Sequence, residues 1–120
     1  MRCRMENKNE KIELLYNTRE YIENVINAIE KMTDNFYKEE NKEGCNLVAR
    51  ISEGLEWIIK ALRLTNDIIN LNDILDEMTE KFNDIVEALE NEDYILVADI
   101  FKYEIKVLLE NIKEELLKVN

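Results

Sequence analysis

Two acidic pairs have the residue types and spacing that could do chemistry. Glu53 and Glu56 stand in EGLE, and Asp73 and Asp76 stand in DILD. An i,i+3 step puts two side chains on one face of a helix, and Mg²⁺ takes several hard oxygen ligands of this kind. The reaction such a centre would support is hydrolysis of a phosphate chain held against the metal.

The sequence around these pairs argues against that chemistry. Chance placement of 27 acids in 120 residues gives about six i,i+3 acidic pairs, and nine are present. On a helical wheel Glu53 falls opposite the apolar seam of its helix, and Asp73 and Asp76 fall on a polar back. Ligands for one metal must converge, and these diverge. Lys60 and Arg63 are the only nearby basic residues for a phosphate. The pattern Glu-x-x-Glu followed by a second acidic pair is similar to that of all-α nucleoside triphosphate pyrophosphatases. That likeness makes a Mg-dependent enzyme the alternative reading. No metal ligands, catalytic residues or cofactors are assigned.

The chain has no histidine. That removes Ser-His-Asp and Cys-His catalysis, the usual zinc sites, and the Glu-x-x-His ligands of di-iron bundles. Cys3 and Cys45 lack the spacing of a metal clamp or a redox pair, so both are expected as free thiols. The formal charge is −11, and the arginines are scattered through the chain. Nucleic acid needs a concentrated basic face to displace counterions, so it is not an expected partner. The longest apolar run is five residues, Tyr94–Ala98, far short of a membrane span. The N-terminus MRCRMENKNEK has no apolar core of a secretory signal, which predicts a cytoplasmic protein.

With no proline and two glycines, the composition is helical. Residues 1–9 are expected as a disordered tail and 10–120 as a single domain. The spacing predicts an all-α, up-down-up-down four-helix bundle with helices at about 10–40, 46–69, 72–91 and 93–119. Leu15, Thr18, Ile22, Val25, Ile29, Met32 and Phe36 form one 3,4-spaced seam on the first helix. Gly44 is expected to end that helix in a left-handed turn, and Asp93 to cap the fourth. The alternative, in which helix 2 runs through NLND into helix 3, would give three long helices that need a dimer to close the core.

Helices 2 and 4 carry more apolar surface than one core requires. Gly54, Trp57, Ala61, Leu64 and Ile68 repeat at 3,4,3,4 away from the seam of helix 2, and Leu96, Ile100, Tyr103 and Val107 repeat at 4,3,4 on helix 4. A helix that is apolar on two sides needs two partners. The only Trp lies between two small residues, as at close helix–helix contacts and interface hot spots. The expected interface is therefore Gly54, Trp57, Ala61, Leu64, Leu96, Ile100, Tyr103 and Val107. The expected function is a non-catalytic protein-interaction module, either a homodimer or a small chaperone or adaptor. The bland reading of the same stripes is a squashed bundle in which helices 1 and 3 cover them.

The segments EGLEWIIKAL, ALENEDYILVADIFKYEI and LLENIKEEL resemble a family of small uncharacterised helical proteins from Gram-positive bacteria. The likeness covers roughly residues 20–117 and is most specific at Glu-Gly-Leu-x-Trp and at Asp93–Tyr94. It implies a fold and no activity. The 82–116 hairpin is also similar to small flagellar export chaperones and to a single tetratricopeptide-type hairpin, which implies binding rather than catalysis.

Overall fold

The computed structural model describes residues 7–119, which form four helices and, among the described residues, no strand. Helix α1 is Lys8–Tyr37, α2 is Asn41–Leu64 and α3 is Asn72–Glu90. Helix α4 spans 94–116 as Tyr94–Ile100, a π-helical turn Phe101–Ile105, and Lys106–Leu116. Links this short make sequential helices antiparallel, giving a four-helix bundle of 47 × 26 × 24 Å. One apolar core runs through all four helices. No helix among the described residues is long and apolar enough to cross a membrane.

Two chain reversals share one mechanism. Glu39 and Glu92 adopt φ of 63° and 55°. The Glu40 N–H donates to the Asn35 carbonyl at 2.8 Å and that of Asp93 to Ala88 at 2.9 Å, while Glu39 and Glu92 donate to Phe36 and Leu89. These are Schellman closures, in which a left-handed residue lets the chain satisfy the last helical carbonyls. Asp93 then caps α4 by accepting from the Leu96 N–H at 3.2 Å.

This corrects the expected boundaries around the first turn. Residues 1–6 of the expected tail lie outside the described residues, whereas Asn7 caps α1 and Lys8 and Asn9 belong to its first turn. Helix α2 begins at Asn41 rather than 46, and Gly44 is helical and buried. Its small size serves packing, since an added Cβ would stand 2.6 Å from the Phe36 ring. At its other end α2 stops at Leu64 rather than 69, and the Thr65 hydroxyl donates to the Ala61 carbonyl at 2.9 Å. The Asn70 side chain then accepts from the Asn72 N–H at 3.0 Å to start α3. The continuous helix through NLND is thereby excluded.

The π-helical turn follows from the core spacing of α4. Val97, Phe101, Ile105 and Leu109 are all buried, four residues apart. In a regular helix each four-residue step overshoots the turn by about 40°, so three steps would swing the stripe out of the core. The Lys106 N–H bonds the Phe101 carbonyl, one residue further back than in an α-helix. That wider turn takes up the drift.

Candidate functional surface

The seams of the bundle differ in how they are closed. Along α1 and α4, Tyr37 donates to Asp99 at 2.6 Å, Lys106 to Glu30 at 2.9 Å, and Lys113 to Glu23. Between α3 and α4, Lys81 pairs with Glu104 at 2.8 Å. Along α2 and α3, the side-chain links among the described residues all come from Arg63. It donates to Asn72 and Asp76, both at 2.8 Å, next to the connecting turn. Beyond Arg63 the two helices leave a groove of about 320 Å³.

The expected interface residues divide into two sets. Gly54, Ala61 and Ile100 are buried within the chain and contribute no exposed surface, which corrects their assignment. The site of the missing Gly54 side chain is filled by the Tyr21 hydroxyl, which a Cβ would meet at 2.9 Å, and by Val25. Ile100 lies in the stretch of α4 that packs against both α1 and α3. Trp57, Leu64, Leu96, Tyr103 and Val107 stay exposed, Trp57 at 43% and Tyr103 at 63%.

The exposed residues form two surfaces. Helices α2 and α4 each pack on α1 and sit diagonally across the bundle. On the α1/α2 face, Trp57 meets Tyr21 edge to face, with centroids 5.2 Å apart and planes at 72°. A shallow cleft there is flanked by Asn17 and Glu53. Further along the same two helices lie Lys31, Glu43 and Arg50, so this face carries both signs of charge. On α4, Lys102 lies over the rings of Tyr37 and Tyr103 at 5.4 and 5.3 Å.

The acidic pairs do not meet. Asp76 is held by Arg63, Glu53 and Glu56 flank the groove, and Asp73 is exposed at the start of α3. Among the described residues no three Cys, Asp or Glu side chains gather as a metal would need. Cys45 is a free, half-buried thiol whose pKa burial pushes up, which disfavours the reactive thiolate.

Sequence reasoning missed the groove between α2 and α3. Leu55 and Met78 are buried core residues that form its floor, and the half-buried Ile59 and Phe82 form its sides. The available signal was Val86, which lies on the Phe82 side of α3, one turn further on, and is exposed. A core stripe that runs on into solvent marks a seam the neighbouring helix does not cover.

Residues 13–115 match the family described as a domain of unknown function (DUF8042), and the chain belongs to that family. No curated protein and no solved structure matches it.

Proposed function

We propose that this member of the DUF8042 family is a non-catalytic, cytoplasmic protein-interaction module that pairs with a second copy of itself through the α1/α2 face. The observation that carries the reading is Trp57, which remains 43% exposed beside Tyr21 after the bundle has buried its core. A large aromatic held in place by a neighbouring ring, with Leu64 exposed two turns further on, is a pre-organised hot spot. The face also carries Lys31 and Arg50 together with Glu43 and Glu53. In a two-fold contact each copy presents the same patch, so mixed charge can pair with itself where a single sign would repel. The α4 stripe of Leu96, Tyr103 and Val107 is a separate surface, and a second protein bound there would make the molecule a small chaperone or adaptor.

The test is Trp57→Glu. A carboxylate at a half-exposed site leaves the fold intact, and across a two-fold axis it faces its own copy. The expected result is a monomer with a melting temperature close to that of the parent. Global unfolding of this variant would place Trp57 in the core and defeat the reading.

A further inference from the structure

We infer that the groove between α2 and α3 docks an amphipathic helix of a partner protein with basic residues flanking its apolar stripe. The groove is on another seam from the α1/α2 face; Glu53 stands at the border of both, and Glu56 borders the groove alone.

The wall is apolar: Leu55 and Ile59 from α2 face Met78 and Phe82 from α3. The two hydroxyls along it are occupied, since Ser52 donates to the Val48 carbonyl at 2.7 Å and Thr79 to the Leu75 carbonyl at 3.0 Å. A polar small molecule would find few free donors there, and a phosphate would find no cation among the described residues that line the groove. Val86 extends the apolar strip one turn along α3, which gives it the shape of a space between two helices.

The charge at the edge selects the occupant. Glu53 and Glu56 flank the groove, and neither enters an ion pair among the described residues. A second copy of the chain would bring the same carboxylates towards these two and be repelled. A helix with Lys or Arg beside its apolar residues would satisfy wall and edge together.

The probe is a fluorescently labelled 18-residue Leu/Lys amphipathic peptide, with a Leu/Glu peptide as its charge-reversed counterpart. Binding is followed by anisotropy, and its location by the methyl NMR signals of Met78, at the floor of the groove, and of Met32, buried away from its lining. The expected result is saturable binding of the Leu/Lys peptide alone, a shift of Met78 without one of Met32, and about a tenfold loss of affinity in Glu56→Lys and Val86→Lys. Glu20→Lys, an equal charge change to that of Glu56→Lys on the exposed side of α1, should cost under about twofold. Equal losses in Glu20→Lys and Glu56→Lys, absence of saturation, or a Met32 response would overturn the inference. A Met78 shift that follows protein concentration without peptide would assign the groove to a second copy and equally overturn it.

Discussion

The hydroxyl of Tyr37 donates to the carboxylate of Asp99 at 2.6 Å, and this bond is the end rung of a regular ladder. As α1 recedes by sevens through Tyr37, Glu30 and Glu23, α4 advances by sevens through Asp99, Lys106 and Lys113. The π-helical turn lies between the first two rungs, so it keeps the apolar stripe inward without breaking the polar register outside. The ladder gives α1 and α4 a defined alignment, whereas among the described residues the polar side-chain links of the α2/α3 seam all come from Arg63.

Alkaline pH should act on Tyr37. Burial, followed by the bond to Asp99, pushes its hydroxyl up from 10.0 to about 12. The folded state therefore holds this proton more tightly than the unfolded chain does. The stabilisation is fully present below pH 10 and is lost as pH rises through about 12. Tyr37→Phe should lose under about 1 kcal/mol at neutral pH, since the bond is largely solvated. The advantage of the parent over the variant should shrink steadily as pH rises through that window. Urea melts at pH 8 and pH 11.5 measure it, and a constant difference would contradict the assignment.

The two glycines should respond oppositely to alanine. At Gly44 the new Cβ meets the buried Phe36 ring at 2.6 Å, and that ring is stacked on Tyr94 with planes 6° apart. Overpacking of about 1–3 kcal/mol outweighs the helix-propensity gain of about 1 kcal/mol, so Gly44→Ala should destabilise. At Gly54 the nearest atom is the hydroxyl at the end of Tyr21, which can swing aside, and the Val25 methyl at 3.3 Å needs to yield by only a few tenths of an ångström. Gly54→Ala should be neutral or stabilising by up to about 1 kcal/mol, with altered Trp57 fluorescence as its ring partner moves. Thermal melts of the pair decide the matter.

Glutamate at the left-handed positions costs stability that glycine would recover. Glu39→Gly and Glu92→Gly should each raise stability by about 0.5–1 kcal/mol, the relief of a positive φ less the greater freedom of glycine in the unfolded chain. Denaturant midpoints at fixed m-value report it. Loss of stability in both would mean that the Glu side chains contribute more than the backbone conformation costs.

Much of the fold was legible because its determinants are local. The 3,4 seam of α1 and the Asp93 cap need only neighbouring residues, and Thr18 and Thr65 bond the carbonyls of Leu14 and Ala61 as hydroxyls on apolar seams do. The determinants that escaped depend on distant residues. Whether Gly44 is a turn or a packing glycine depends on Phe36 folding back over it. The fate of Gly54 depends on Tyr21, and that of Ile100 on the two helices flanking α4. A uniform 100° wheel also fails at Phe101–Ile105, where the consecutive four-residue steps from Val97 to Leu109 require a π-helical turn. The open α2/α3 groove was invisible because a wheel assigns each helix a core direction and cannot tell how closely its neighbour approaches.

The most direct test of self-pairing is the mass of the intact protein in solution. Light scattering at high micromolar concentration should give twice the 14.3 kDa chain mass, falling to 14.3 kDa in Trp57→Glu. A parent protein that stays at 14.3 kDa across the concentration range would contradict the proposed pairing through the α1/α2 face.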